Sequence, residues 1–283
     1  MQFAETIVFR VYGLGSEVLI DRSQEMENMD LLSKSSLGSK LHGAFNNGIC
    51  YQYIAGQSIT REMVSSRSIY PLIARKMANM HLIKIGDRKN ILWDRMRKYI
   101  DLSPESFQDS KQDILFKENF WDKNQLFHEF AMLKKLLENC SSPVVFCHND
   151  LNIPNIIFDG TEVSFIDVEY AGCCYSAFDV ANHFVEFTGV DGHLDYVRFY
   201  PSKTFQLEWI QEYLQTFNGT CSQADVEDFY ELVQKFTLCS HLLWAVWALV
   251  QAKISLIDFD FLDVAIQRLN EYKRMKTLVL KTT

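Results

Sequence analysis

The chain is poor in the residues and patterns that mark fibrous, exported or polyanion-binding proteins. Only 5 of its 283 residues are proline and 12 are glycine, too few for a collagenous or linker-like chain. No repeat and no low-complexity tract is present. Positive charge is in deficit: 28 Lys and Arg against 36 Asp and Glu leave a net charge of −8, with a pI near 5.4. That balance argues against a protein that wraps nucleic acid or an anionic membrane surface. The longest apolar run, Leu242 to Val250, is too short to span a bilayer, so no membrane span is expected. The first residues, MQFAETIVFR, lack a basic segment followed by an apolar one, so no signal peptide is expected. The 7 cysteines are odd in number, form no C-x-x-C pair and show no zinc-ligand spacing. They read as reduced, mostly buried thiols of a cytoplasmic protein, in which Asn218-Gly219-Thr220 matches a glycosylation acceptor by chance.

What is present suits a folded globular chain: 48% apolar residues and 13% aromatics. The first fifty-odd residues read as β-rich, with strand-like runs at Thr6 to Tyr12, Glu17 to Ile20, Lys40 to Phe45 and Ile49 to Ile54, and a helical stretch from Asp21 to Ser33. After Gly56 helical periodicity dominates: Ile69 to Leu82, Gln125 to Asn139, Phe178 to Phe187, Gln206 to Thr216, Gln223 to Val250 and Phe261 to Lys273. The fold class is α+β, with a small β-rich lobe at 1–55 and a large helical lobe at 56–283, hinged near Gln52 to Gly56.

The segment VVFCHNDLNIPNIIFDGTEVSFIDVEY, from Val144 to Tyr170, carries the chemistry. Two apolar runs, Ile156 to Phe158 and Val163 to Ile166, flank Asp159-Gly160, a hairpin turn signal. With Asp159-Gly160 as the loop, Asn155 and Asp167 fall toward the open end of the hairpin, and Asp150 lies just upstream of it. Asp and Asn often do no more than cap turns. Two carboxylates and a carboxamide in register also meet the needs of phosphoryl transfer. Hard Mg²⁺ takes a carboxylate, an amide oxygen, water and nucleotide phosphates, while a separate carboxylate orients the acceptor hydroxyl and takes its proton. The spacing parallels the H-R-D-x-x-x-x-N pattern of protein kinases with its later metal-binding Asp.

HNDL followed by Asn155, then IDVEY, then FDVANHFVEF, resembles the signature of the choline and ethanolamine kinases, over roughly residues 7–276. NNGICYQYIAG, NHFVEFTGV and WAVWALVQAKISLIDFDFL resemble the ethanolamine kinases more than the choline kinases. The resemblance implies a two-lobed protein-kinase-like fold and ATP- and Mg²⁺-dependent phosphorylation of ethanolamine to phosphoethanolamine, in phosphatidylethanolamine biosynthesis. It makes Asp150 the catalytic base and Asn155 and Asp167 the Mg²⁺ ligands. A choline kinase is the first alternative. A weakly catalytic or truncated chain acting as a binding partner is another, and a homodimer is among the open assembly states.

Asp179, Asn182, His183 and Glu186 recur at helical spacing on one face, which reads either as a solvated polar face or as a packed one that sets Glu186 near an ammonium group. Trp244, Trp247 and Gln251 also lie at helical spacing, and buried core competes with a cation-binding surface for the two indoles. The resemblance assigns Tyr170, Glu186, Trp244 and Trp247 to the ammonium pocket. On the nucleotide side, it places Arg10 at the ATP phosphates with Glu25 as its ion-pair partner, and Gln52 to Ile54 at the adenine hinge. Family members carry two strands and a glycine-containing turn before the segment that begins here near Thr6. Gly13-x-Gly15 follows the Arg10 strand and is no substitute for that turn, so a truncated product or weakened phosphate binding is an expectation.

Overall fold

A computed structural model describes residues 6–86, 89–189 and 192–280. The chain opens with β1 (Ile7–Val11), α1 (Arg22–Lys34), β2 (Leu41–Phe45) and β3 (Gly48–Gln52). β3 lies centrally in an antiparallel sheet of order β1-β3-β2. In β1 the exposed Ile7, Phe9 and Val11 alternate with the inward Val8 and Arg10, the period-2 geometry of a strand with one face on a cavity. Arg10 pairs in register with Ile49, and Val11 with Gly48. A Cβ on Gly48 would lie 2.2 Å from the Arg10 carbonyl, so this position needs glycine to let the strand carrying Arg10 approach. Asp21 caps α1 by accepting from the Ser23 and Gln24 amides.

The expected strand at Glu17 to Ile20 is instead a 3₁₀ turn at Ser16–Val18. Gly15, with φ 78°, turns the chain, and Val18 and Leu19 amides then bond back to Gly15 and Ser16 carbonyls. The apolar residues of that stretch serve burial rather than pairing: Leu19 and Ile20 are buried.

β4 (Gln57–Ser58) follows the hinge, then α2 (Arg61–Val64), α3 (Tyr70–His81), α4 (Leu92–Leu102), α5 (Ser110–Asn119) and α6 (Lys123–Leu137). Next come β5 (Val144–Cys147), β6 (Ile156–Phe158), β7 (Val163–Phe165), β8 (Gly172–Tyr175), α7 (Ser176–Val185), α8 (Tyr196–Phe199), α9 (Lys203–Asn218), α10 (Gln223–Ile254) and α11 (Phe261–Val279). β4 pairs with β6, β6 with β7, and β5 with β8, all antiparallel. α10 packs against both α11 and α7, and α3 packs on α9. Phe146, Phe178, Phe184, Trp209, Tyr213 and Phe236 are fully buried among these helices, each contributing about 1.5–3 kcal/mol or more of apolar burial.

α4 and α5 lie outside the helical runs expected from the sequence. α4 buries Leu92, Trp93, Met96, Tyr99 and Ile100, a helical stripe that was available in the sequence, whereas α5 buries only Phe116. α10 is long and apolar enough to cross a membrane by length and composition, but 83% of its apolar window is buried inside the fold, as in a core helix. The cysteines form no disulfide: Cys147, Cys173, Cys174 and Cys239 are buried, and Cys50, Cys140 and Cys221 half-buried.

Candidate active site

The loop after β5 is held from beneath by α7. Asp179, wholly buried, accepts from the His148 amide at 2.8 Å, the Asn149 amide at 2.7 Å and His81 Nε2 at 3.0 Å. Burial pushes its pKa upward, but hydrogen bonding and charge from His81 and His148 outweigh this and hold it below the ordinary value. Asn149 takes a left-handed φ of 63°, sparsely populated for a residue with a side chain. Its amide group ties down to the Tyr170 and Gly172 carbonyls at 3.1 and 3.3 Å, while His148 Nε2 lies 2.9 Å from the Ile166 carbonyl. The next residue, Asp150, is thereby presented from a rigid loop. The polar row on α7 is a packed face: Asp179, Asn182, His183 and Glu186 are all buried. His81 was not singled out in the sequence, since 98 residues separate it from its Asp179 partner.

The hairpin turn is centred on Gly160-Thr161, one residue later than expected: the Asp159 amide donates to the Glu162 carbonyl, and Phe158 faces Val163. Asp159 holds the corner by accepting from the Thr161 and Glu162 amides. This register sets Ile166 against Asn155, through the Ile166 amide and the Asn155 carbonyl at 3.0 Å, and leaves Asp167 at the open end with a left-handed φ of 60°. Asn155 Nδ2 donates to the Asp150 carbonyl at 3.0 Å, so its Oδ1 remains as an acceptor. Asp150, Asn155 and Asp167 thus converge from one loop and one hairpin. Burial, then the nearby charges of Glu186, Asp167 and Glu169, raise the Asp150 pKa well above the carboxylate range.

Arg10 meets this hairpin from the small lobe. Its guanidinium pairs with Asp167 at 2.8 Å, Glu169 at 2.7 Å and Glu25 at 3.2 Å. The Glu25 partner was expected; Glu169, inside the IDVEY string, was not. Arg22 also bridges Glu25 and Glu169, at 2.7 and 3.0 Å. Three of these five pairs, those with Asp167 and Glu169, join the two arginines of the small lobe to carboxylates of the large one, while the two with Glu25 lie within the small lobe. Beside them lies a cavity of about 390 Å³ between the lobes, lined by Arg10, Glu25, Ile49, Tyr53, Ile54 and Asp167 among others. Ile54 falls where the hinge reading put it. Gln52 does not line the cavity: it is exposed, and its amide is spent on the Lys40 carbonyl at 2.9 Å.

Asp150 borders a second cavity of about 370 Å³, walled by Tyr170, Glu186, Trp244, Trp247 and Arg268. Trp247 Nε1 donates to the Tyr170 hydroxyl at 2.9 Å, and Trp244 Nε1 to Asn182 Oδ1 at 2.7 Å. The Tyr170 and Trp244 rings meet edge-on at 5.2 Å, and the two indoles at 5.3 Å. The alternatives of core and pocket are not exclusive: Trp244 is nearly buried and Trp247 half-buried, yet both line the cavity. Gln251, one turn on, lines a different surface hollow. Arg95 NH1 fixes the Tyr170 carbonyl from behind at 2.9 Å. Arg268, which no sequence pattern indicated, pairs with Glu186 at 2.7 Å.

A small strand-rich lobe, a large helical lobe and a cleft carrying HND, Asn155 and Asp167 define a two-lobed protein-kinase-like fold. Residues 2–273 match the choline/ethanolamine kinase family, and the chain belongs to it. It is 41% identical to the ethanolamine kinase 2 of Rattus norvegicus, covering 97% of this chain and 71% of that one. It is 39% identical to the ethanolamine kinase of Drosophila melanogaster, covering 100% of this chain and 57% of that one. Among solved structures, an ethanolamine kinase of Plasmodium vivax superposes with a TM-score of 0.85 at 28% identity, over 96% of this chain and 77% of that chain.

Proposed function

We propose that the chain phosphorylates the hydroxyl of ethanolamine with ATP, giving phosphoethanolamine and ADP. The observation that carries this reading is the second cavity, which sets one carboxylate, Asp150, at the converging loop and another, Glu186, in a wall of aromatic rings. The relatives' activity supports it. The substrate hydroxyl gives its proton to Asp150 as its oxygen bonds the terminal phosphorus, and the bond from that phosphorus to the ADP oxygen breaks. The raised proton affinity of Asp150 suits it to that task. The ammonium end sits among Tyr170, Trp244 and Trp247, whose faces attract a cation by about 0.5–2 kcal/mol each, depending on desolvation. A primary ammonium donates three hydrogen bonds and a quaternary one none, so the Glu186 carboxylate favours ethanolamine over choline.

The inter-lobe cavity is the nucleotide site of this proposal, with Ile54 at the hinge and Arg10 beside the phosphates. The oxygen donors Asn155 Oδ1 and the Asp167 carboxylate fit a hard divalent cation. They would hold Mg²⁺, which when bound supplies positive charge to the phosphate oxygens. The proposal includes a cytoplasmic location, in keeping with the absence of disulfides. Phosphorus NMR of the wild-type reaction tests it, with Asp150→Asn beside it: phosphoethanolamine should form with the wild type and fall by about 10²–10⁴-fold with the variant. Equal turnover by the two proteins would remove Asp150 from its role.

A further inference from the structure

The acceptor cavity holds a charge pair that the proposed proton and phosphoryl transfers do not use. Three carboxylates line it, from Asp150, Glu169 and Glu186, and Arg268 is the one cation among its described lining residues. Arg268 stands on α11, and its side chain is only 7% exposed against 5% for Glu186. Its NH2 donates to Glu186 Oε1 at 2.7 Å, while Nε and NH1 are buried without a hydrogen-bond partner among the described residues. A buried guanidinium left with two idle donors is a poor device for stability alone, because its desolvation is only partly offset. Its charge bears on the cavity, acting on Asp150 as well as on Glu186.

We propose that Arg268 is a positioning residue that holds Glu186 turned so that its second oxygen, Oε2, receives the ammonium of the substrate. The inference rests on reading this cavity as the acceptor site. Anchoring Oε1 gives the other oxygen one orientation, from which it accepts the charge-assisted hydrogen bonds that a primary ammonium donates. Among the described residues, neither titratable neighbour can replace Arg268 in this. His241 is buried, and burial together with the charges of Arg268 and Arg274 keeps it neutral. Tyr196, whose ring lies 5.3 Å from that of His241, carries no positive charge. Arg268 is then a determinant of how strongly the pocket prefers a hydrogen-bonding ammonium.

Steady-state kinetics with ethanolamine and ATP, plus melting temperatures, on the full chain test this with wild type, Arg268→Met, Arg268→Lys, Glu186→Gln and the double variant Glu186→Gln/Arg268→Met. Arg268→Met should raise the ethanolamine KM by about tenfold or more, the loss of one charge-assisted contact, with the ATP KM within about twofold of wild type. Arg268→Lys, which keeps a cation beside Glu186, should recover part of that loss. The double variant should lie within about twofold of Glu186→Gln, because both substitutions act through one carboxylate. Should Arg268→Met not fold, the lysine and double variants carry the same comparison, since neither leaves a lone buried carboxylate. An ethanolamine KM unmoved by Arg268→Met, or losses that multiply in the double variant, would overturn the proposal while leaving the acceptor site in place. A wild type that turns over ATP but shows no dependence on ethanolamine would overturn the acceptor reading and this proposal together.

Discussion

Replacing Asp179 by asparagine keeps the shape of the side chain and removes one of its two acceptor oxygens. Oδ2 serves both the His148 amide and His81 Nε2, and Oδ1 serves the Asn149 amide. An asparagine oriented to keep the first two contacts sets its own NH2 against the Asn149 N–H. The loss is one charge-assisted bond, about 1.5–3 kcal/mol, plus a buried amide left without an acceptor, about 1–3 kcal/mol. A total of about 2.5–6 kcal/mol corresponds to a fall in Tm of roughly 5–24 °C for a chain of this size. The bond lost is one that holds Asn149 in its left-handed conformation and so aims Asp150. A displacement there on the order of 1 Å can cost about 10²-fold in rate, so kcat should fall while the ATP KM changes little. The pH dependence has a definite sign. Folding holds the Asp179 pKa below its ordinary 3.8, so its contribution is complete above about pH 5 and is lost as the pH falls through the depressed folded value. Thermal melts of both proteins between neutral pH and about pH 3 should therefore show a gap that narrows on acidification. An unchanged Tm at neutral pH, or a gap that stays constant down to the lowest pH, would show that Asp179 does not hold the loop through its ionised carboxylate.

Other substitutions separate the roles around the cleft. Asp167→Ala should raise the Mg²⁺ concentration needed for half-maximal turnover and weaken nucleotide binding, since it removes a charged oxygen donor; an unaltered Mg²⁺ titration would leave Asp167 as no more than a strand-end partner of Arg10. Trp247→Ala should raise the acceptor KM by roughly 2–30-fold, the worth of one cation–π face, with the ATP KM unmoved. If instead only Tm falls, Trp247 belongs to the core alone. Thiol labelling of the folded protein at pH 8 should reach Cys50 and Cys221 first and leave Cys147, Cys174 and Cys239 unmodified until denaturant is added, because burial removes access and raises their pKa values. Fast modification of Cys147 in the native state would contradict the packing of β5.

The part of the site that is local in the chain was legible in the sequence. Asp150, Asn155 and Asp167 lie within one loop and one hairpin, so turn chemistry and strand alternation sufficed to bring them together, even with the turn set one residue early. The indoles of α10 and Glu186 were legible as a pattern, but spacing alone does not tell a buried face from a solvated one. What escaped depends on contacts between distant segments. Glu169 differs little from any acid after a strand until Arg10 and Arg22 arrive from the other lobe. Arg268 resembles any arginine on an amphipathic helix until α11 is packed along α10. His81 becomes part of the loop support only through α7. The short run at Glu17 to Ile20 failed for the opposite reason: its residues are apolar enough for a strand, and a left-handed glycine just before them winds the chain into a turn instead.

In the proposed reaction this cleft transfers a phosphoryl group from ATP to ethanolamine. The most direct test is an ADP-release assay on the 283-residue chain, with ethanolamine and choline as parallel acceptors and Mg²⁺ present or removed by chelation. Mg²⁺-dependent turnover with a kcat/KM for ethanolamine clearly above that for choline is the predicted result. ADP release that neither acceptor stimulates would contradict the account, and a preference for choline would contradict its assignment of Glu186 as the group that reads the ammonium.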